Sequence, residues 1–205
     1  NERFFPGVKF PDNLQVTSNV KKAFSSAELV FIAVPSYAFK ENLDSIKDFV
    51  RNDAYVVSAT KGLDSITFKR MTELLEEGLN SDFHGKICAL SGPNLAKEIM
   101  QGKPSSTVVA SKTIQFSVAV QNMMNAEKFR VYTSDDVVGV EFGGALKNII
   151  ALGAGICDGL SLGDNAKAAF ITRGLFEISR LAVQLGANPM TIAGLAGMGD
   201  LIATC

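Results

Sequence analysis

The chain has 205 residues, of which 47% are hydrophobic and 20% charged, and its formal net charge at pH 7 is −1. This length suffices for one large domain or two small ones with a sizeable core. The charge balance argues against a nucleic-acid partner, because binding nucleic acid requires a basic face. We expect no membrane span, because no apolar run reaches the needed length, and no signal peptide in the polar stretch Asn1–Pro11.

Few residues are available for redox or acid–base chemistry. Cys88, Cys157 and Cys205 are far apart and form no CxxC motif, which predicts reduced thiols in a cytoplasmic protein. The single histidine, His84, lies in the polar stretch SDFHGK, which we interpret as a loop. Acid–base chemistry would therefore depend on lysine or carboxylate side chains.

Strands and helices are predicted to alternate along the first 135 residues. A loop over Asn1–Thr17 precedes a short helix at Ser18–Ser26. Compact apolar runs such as ELVFIAVP are typical of strands buried on both faces. The predicted strands are Glu28–Pro35, Ala54–Thr60, Lys86–Leu90, Ser106–Ala110 and Phe129–Tyr132. Helices are predicted at Tyr37–Val50, Thr67–Gly78, Asn94–Met100 and Thr113–Asn125. This alternation predicts an α/β fold with a doubly wound parallel sheet.

The pattern changes to helix alone near Ser134. Helical periodicity covers Gly139–Gly159, Asn165–Leu185 and Met190–Ala196 without a strand signal. We therefore predict two domains, a sheet domain over residues 1–135 and an all-helical domain over residues 136–205.

Lys147 is the one lysine of the stretch Gly139–Gly159 and lies near its middle. Its neighbours three and four positions away include the glycine pair Gly143 and Gly144. A lysine on a helix usually keeps its charge in water while its stem covers apolar surface. Two helix-weakening glycines beside it favour a second interpretation, in which another element or a ligand comes close.

Three predicted strand ends carry residues suited to binding. In open parallel sheets, ligands bind outside the carboxyl ends of the strands. These ends carry Ser36, Lys61 with Gly62, and the tetrapeptide Ser91–Asn94, whose exposed N–H groups favour an anion. Ordinary turn geometry would also explain each of them singly.

The stretch Gly194–Cys205, GLAGMGDLIATC, resembles a dinucleotide fingerprint only superficially. Its glycines have GxxGxG spacing and no strand precedes them, which indicates a tight helix end close to a neighbour. Asp200 and Thr204 are four apart and can share one helical face, although Asp200 could instead cap a helix. Arg173 and Glu177 are also four apart, and we interpret them as an ion pair without a chemical role.

Two long motifs, GGALKNIIALGAGICDGLSLGDNAKAAFITRG and GLAGMGDLIATC, closely resemble the bacterial NAD(P)-dependent glycerol-3-phosphate dehydrogenases. The stretches FFPGVKFPDNL, VPS, ATKGL and SGPNLAKE stand in the order of that family, so the resemblance covers essentially the whole chain. It implies a Rossmann domain followed by a helical domain. It also implies interconversion of dihydroxyacetone phosphate and sn-glycerol 3-phosphate with NAD or NADP, which supplies phospholipid synthesis. The expected partners are a small phosphate substrate and a second copy in a homodimer.

The resemblance also assigns roles residue by residue. It implies that Lys147 is the catalytic lysine at the substrate oxygen, assisted by Asp200 and Lys61. The expected substrate-binding residues are Lys61, Gly92, Asn94, Lys147, Asn148, Asp200 and Thr204. The expected cofactor-binding residues are Lys61, Ala96 and Ser36, and no metal is expected.

The sequence departs from the family pattern in three places. Asn94 stands where the family usually has serine or threonine, and an amide can still donate and accept hydrogen bonds. The GxGxxG turn and a later Ser-Arg-Asn motif of the family are not found, so we expect an internal portion of such an enzyme. Two alternatives stay open: another Rossmann-plus-helical dehydrogenase acting on a hydroxyacid or hydroxyacyl substrate, and a non-catalytic binding module.

Overall fold

A computed structural model of the chain describes residues 4–83 and 86–205, so the expected loop at His84 lies outside the described residues. It contains one sheet with the strand order β1-β2-β3-β4-β5. All five predicted strands are confirmed. They are β1 (Leu29–Ile32), β2 (Tyr55–Ser58), β3 (Ile87–Ser91), β4 (Ser105–Ala110) and β5 (Phe129–Ser134).

The helices follow the predicted positions with two corrections. They are α1 (Val20–Phe24), α2 (Phe39–Ile46), α3 (Met71–Gly78), α4 (Ala96–Met100), α5 (Ile114–Met124), α6 (Val137–Gly159), α7 (Asp164–Gln184), α8 (Pro189–Ile192) and α9 (Asp200–Thr204). Helix α3 begins later than predicted, because the Asp64 carboxylate accepts hydrogen bonds from Thr67 and closes a turn there. The last predicted helix ends at Ile192 and is followed by a π-helical segment, Leu195–Gly199.

The prediction of a fully parallel sheet is wrong at one junction. Strands β1, β2 and β3 are parallel, and so are β4 and β5, but β3 and β4 pair antiparallel. A parallel connection must carry the chain back across the length of the sheet. The link between β3 and β4 contains only the five-residue helix α4, about 7.5 Å long, which is too short for that return.

Helices cover both faces of the sheet, as a doubly wound fold requires. Helices α2 and α3 pack on one face through a cluster that includes Phe39, Leu75 and Val56. Helix α5 packs on the opposite face, where Val120 joins Val57 of β2. The side chains of β2 therefore alternate between two buried cores, which explains why its sequence is apolar on both faces.

Helix α6 crosses the sheet beside α3. Asp136 caps its start by accepting a hydrogen bond from the Gly139 N–H at 2.8 Å. Val140 packs against Ala89 of β3, and one turn later Gly144 faces Ser91 at the carboxyl end of that strand. Because α6 runs in the same direction as β3, it delivers its middle residues to the carboxyl edge of the sheet. The helix and the sheet share one hydrophobic core on both sides of the predicted domain boundary between residues 135 and 136. The boundary itself stays a prediction.

Helix α6 is also the one helix in the described part of the chain that is long and apolar enough to cross a membrane. Its 23 residues contain a window with mean hydropathy 1.4, contrary to the expectation from the sequence. However, 44% of that window is buried inside the protein. Core helices commonly meet the same criteria, so length and composition are weak evidence for a span.

Candidate active site

Three charged side chains meet at the carboxyl edge of the sheet. The Lys147 ammonium donates a hydrogen bond to Oδ1 of Asp200 at 2.5 Å, and the Lys61 ammonium donates to Oδ2 of the same carboxylate. Asp200 is 2% exposed and Lys147 is 8% exposed. Lys147 is thus buried and paired, which excludes the interpretation as a solvated helical lysine.

The three residues come from three separate parts of the chain. Lys61 follows the carboxyl end of β2, Lys147 lies on α6, and Asp200 is the first residue of α9. Their meeting depends on the glycine pair before Lys147. A Cβ on Gly143 would lie 2.6 Å from the Ala196 carbonyl oxygen, and one on Gly144 would overlap the Ser91 hydroxyl. The close approach inferred from these glycines is confirmed.

Thr204 completes the contacts of Lys147. Its hydroxyl accepts a hydrogen bond from the Lys147 ammonium at 2.8 Å and donates to the Asp200 carbonyl oxygen at 2.7 Å. Asp200 and Thr204 therefore share the face of α9 that is turned toward Lys147, as their spacing predicts. The alternative role of Asp200 as a helix cap is wrong, because Gly199 occupies that position.

The end of β3 forms the next wall of the site. The Lys61 ammonium donates to the Gly92 carbonyl oxygen at 3.1 Å. Gly92 has φ of +155°, and a Cβ there would lie 3.0 Å from the backbone of Thr107, so glycine is required. The Asn94 amide donates to the Thr107 hydroxyl at 2.8 Å, but its own Oδ1 is buried without a partner among the described residues.

The other expected site residues lie farther from the three charges. Ser36 begins a 3₁₀ turn after β1 and lies against Gly62, where a Cβ would be 2.7 Å from its hydroxyl. Ala96 is the exposed first residue of α4. Asn148 is exposed on α6. Among the described residues, it takes no part in the hydrogen bonds that join Lys61 and Lys147 to Asp200.

Burial and charge act in opposite directions on Lys61. Desolvation lowers the pKa of this lysine, the hydrogen bond and charge of Asp200 raise it, and the nearby charge of Lys147 lowers it again. The net direction is downward from the ordinary value of 10.5. Folding therefore makes the Lys61 amine easier to deprotonate.

Sequence reasoning missed two residues close to this site. Thr107 links Asn94 to the Ser91 carbonyl oxygen, and nothing in the strand sequence SSTVVA marks it. Glu141 is buried on α6, and a lone acid in the apolar run VVGVEFGG is a signal that could have found it. Across residues 4–83 and 86–205, no three histidine, cysteine or acidic residues are grouped to hold a metal.

Two protein-family models match the chain. Residues 1–117 match the model described as NAD-dependent glycerol-3-phosphate dehydrogenase N-terminus, and residues 136–205 match the corresponding C-terminus model. The chain belongs to this family. The resemblance noted in the sequence is thereby confirmed.

Relatives in this dehydrogenase family include two bacterial proteins named glycerol-3-phosphate dehydrogenase [NAD(P)+]. The chain is 50% identical to that of Dehalococcoides mccartyi over 96% of this chain and 55% of the relative. It is 46% identical to that of Chlorobium limicola over 100% of this chain and 62% of the relative. The glycerol-3-phosphate dehydrogenase structure from Coxiella burnetii superposes with a TM-score of 0.92 at 38% identity, over 100% of this chain and 62% of that one. The chain thus spans somewhat more than half the length of these family members.

Proposed function

We propose that the enzyme containing this chain interconverts dihydroxyacetone phosphate and sn-glycerol 3-phosphate with NAD or NADP. The observation that carries this proposal is the convergence of Lys61 and Lys147 on the buried Asp200 at the ligand-binding edge of the sheet. Family membership supports the choice of substrate, since bacterial relatives are named for this reaction.

Lys147 is the proposed proton donor and acceptor at the substrate oxygen. Reducing a ketone requires a hydride on carbon and a proton on the oxygen that becomes an alkoxide. Of the three N–H bonds of the Lys147 ammonium, Asp200 and Thr204 accept two within the described residues, which leaves one for a substrate oxygen. Before the proton moves, the fixed positive charge stabilises the developing oxyanion.

Asp200 has an orienting role in this proposal. Each of its carboxylate oxygens accepts a hydrogen bond from a different lysine, so one buried group fixes both amines. With both amines protonated, the two lysines and the one carboxylate carry a net positive charge. A positive site of this kind attracts a phosphorylated substrate. Lys61, whose side chain is 25% exposed against 10% for Lys147, is the more accessible of the two amines.

Residues at three strand ends fit a dinucleotide beside this substrate. When bound, NAD(P)H supplies the hydride. Lys61, Ser36 and Ala96 are the proposed contacts, since they follow β2, β1 and β3 at the edge where such ligands lie. Gly62, with φ of +137°, leaves space at Ser36 that a side chain would fill. The unpartnered Oδ1 of Asn94 is a buried acceptor that a ligand hydroxyl would satisfy.

We also propose that the enzyme works in the cytoplasm as a homodimer and supplies glycerol 3-phosphate for phospholipid synthesis. The cysteines support the compartment, because Cys88, Cys157 and Cys205 are all free thiols. Sedimentation of the full-length enzyme tests the oligomeric state.

An absorbance assay tests the main proposal. Full-length protein is mixed with NADH or NADPH, and the nicotinamide band is followed after addition of dihydroxyacetone phosphate. We expect loss of absorbance with at least one cofactor, and little loss with an oxoacid or an oxoacyl thioester at the same concentration. A folded protein that turns over the oxoacid instead belongs to the alternative class of dehydrogenase. A folded protein that turns over none of them contradicts the proposal.

A further inference from the structure

Both carboxylate oxygens of Glu141 accept hydrogen bonds inside the protein. Its side chain is 7% exposed. Oε1 accepts a hydrogen bond from the Thr72 backbone N–H at 2.9 Å. Oε2 accepts from the Arg70 guanidinium at 2.7 Å and from the Thr72 hydroxyl at 2.5 Å. Burial raises the pKa of this carboxyl, while the hydrogen bonds from Thr72 and the charge of Arg70 oppose the shift. The ionised carboxylate therefore depends on these particular donors.

The donors lie at the base of the loop that carries Lys61. Arg70 and Thr72 stand at the start of α3, and Arg70 pairs with Leu63 in an isolated antiparallel bridge. Leu63 is only two residues from Lys61. The bridge closes the loop between Leu63 and Arg70, so a constraint on Arg70 also constrains the backbone next to Lys61.

The acceptor lies on the helix that carries Lys147. Glu141 precedes Lys147 by six residues on α6, about 9 Å along the helix axis. One carboxylate therefore joins the two backbone segments from which the lysines reach Asp200. Without this joint, α6 and the loop could shift relative to each other while each kept its own secondary structure.

We propose that Glu141 is a positioning residue, whose bonds to Arg70 and Thr72 set the separation of Lys61 and Lys147. The proposal rests on the proposed function, since it gives those two lysines their roles. Among the described residues, Glu141 bonds to Arg70 and Thr72 and not to either lysine, so it acts through the backbone of α6 and of the loop. A carboxylate is needed because an amide has one acceptor oxygen and would turn its NH₂ group toward a donor.

The test replaces Glu141→Gln in the full-length enzyme. Small displacements of groups near reacting atoms cost up to ~10²-fold in rate, so we expect kcat to fall ~10- to 100-fold. KM for the cofactor should change less than kcat, because Ser36 and Ala96, two of its three proposed contacts, follow strand ends that Glu141 does not touch. The pH profile of kcat should also shift, since the two amines no longer share Asp200 as before.

Glu73→Gln is the matched control. Glu73 also pairs with Arg70, at 3.2 Å, and accepts a hydrogen bond from the Arg70 backbone N–H, but it lies on α3 itself. This change removes a charged partner of Arg70 but leaves the hydrogen bonds from Arg70 and Thr72 to Glu141 of α6 in place. We expect kcat and its pH profile to stay within about twofold of the wild-type values.

A second measurement does not require turnover. Brief acetylation at several pH values, quantified by mass spectrometry, reports the reactivity of Lys61 and Lys147 against that of exposed Lys112. In Glu141→Gln we expect both site lysines to react several-fold faster relative to Lys112, since their shared contact to Asp200 is loosened. Thr72→Val, which removes only one donor to Glu141, should give a smaller change in the same direction.

These measurements separate the two proposals. If the wild-type enzyme does not turn over dihydroxyacetone phosphate, the proposed function is wrong, and lysine reactivity still tests the positioning. If turnover is normal in Glu141→Gln below its melting temperature and lysine reactivity is unchanged, Glu141 has a structural role only and the inference is overturned. Should Glu141→Gln fail to fold, Thr72→Val decides by the same criteria.

Discussion

Both halves of α6 are apolar and contain several glycines, but their surroundings differ. The half from Val137 to Lys147 is largely buried against the sheet and the π-helical segment, with its two charged residues paired. The half after Lys147 packs mainly against α7 and leaves large apolar side chains exposed, including Ile149, Leu152 and Ile156. Periodicity marks both halves as helix, but only the first is fixed by contacts to many other elements.

The glycines show the same difference. In the first half, Gly143 and Gly144 meet backbone and polar side chains of other elements, so they admit no side chain. In the second half, Gly155 has nothing within 4 Å of a Cβ position, although Gly153 lies against the Phe170 ring of α7. A glycine in this helix therefore indicates close packing at Gly143, Gly144 and Gly153 and has no packing role at Gly155. Neighbouring elements make the distinction, and the helix's own sequence does not.

The largest expected effect is that of a substitution in the first half of α6 on the rate of catalysis. We expect Lys147→Met to lower kcat at least about a hundredfold in the full-length enzyme, because it removes both the proton donor and the charge that meets the oxyanion. Methionine keeps much of the stem volume, so the fold should survive. Steady-state kinetics with circular dichroism measures both effects.

The matched control is Lys112→Met. Lys112 is exposed and pairs with Glu76 away from the site. Its kcat should equal that of the wild type within about twofold. Normal turnover in Lys147→Met would remove the distinction between the two lysines, and with it the proposed mechanism.

Substitutions at Gly143 and Gly155 should change the free energy of unfolding in opposite directions. We expect Gly143→Ala to lower the free energy of unfolding by ~1–3 kcal/mol, because the new Cβ meets the Ala196 carbonyl oxygen. Gly155→Ala should raise it by up to ~1 kcal/mol, since alanine favours helix and the space is open. Urea unfolding of both variants measures the difference, and changes of the same sign would contradict the contrast.

The pH dependence of Lys61 gives a smaller effect. Since burial lowers its pKa from 10.5, the folded state binds fewer protons than the unfolded state between the two pKa values. The contribution of Lys61 to the free energy of unfolding therefore increases as pH rises through that window. Acetylation against pH should show a lower midpoint for Lys61 than for a free lysine side chain. In Asp200→Asn the midpoint should fall further, because the group that raises it is lost. A midpoint that rises in that variant would show that Asp200 does not act on Lys61 in this way.

The smallest effect is expected at the ion pair of α7. Arg173 and Glu177 form the predicted pair, and the arginine side chain is 68% exposed. Exposed pairs of this kind contribute little, so Arg173→Ala should change the free energy of unfolding by no more than ~0.5 kcal/mol. Thermal melts at low and high salt measure it. A larger loss that disappears with salt would show that this pair belongs to a wider charge network.

Much of the sheet could be predicted from sequence because buried strands leave a strong local signal. AYVVSAT became a strand with a core on each side. ELVFIAVP also became a strand, but β1 lies at the edge of the sheet and its Phe31 is 44% exposed, so the prediction of burial on both faces is wrong there. The antiparallel turn from β3 to β4 left no such signal. It depends on whether a short connection can recross the sheet, which is a property of geometry in three dimensions.

The site could be predicted where unusual combinations of residues occur close together in the sequence. A lysine beside two glycines and an aspartate four residues before a threonine both led to the observed cluster. Glu141 was missed because its partners lie about seventy positions earlier in the chain. Its importance depends on which segments it joins, and a sequence read locally carries no information about that.

The antiparallel junction has a consequence for how chain length can vary. Strand β5 runs antiparallel to β3, so it ends on the side of the sheet opposite the carboxyl end of β3. Helix α6 therefore extends ~15 Å from Val137 to Lys147, at ~1.5 Å per residue, before the Lys147 amine reaches the site. Each residue added or removed on that path would swing the amine by roughly 100° around the helix axis. An insertion or deletion there would therefore turn the Lys147 amine away from Asp200. The first half of α6 is therefore a spacer, and its length matters to the chemistry as much as Lys147 does.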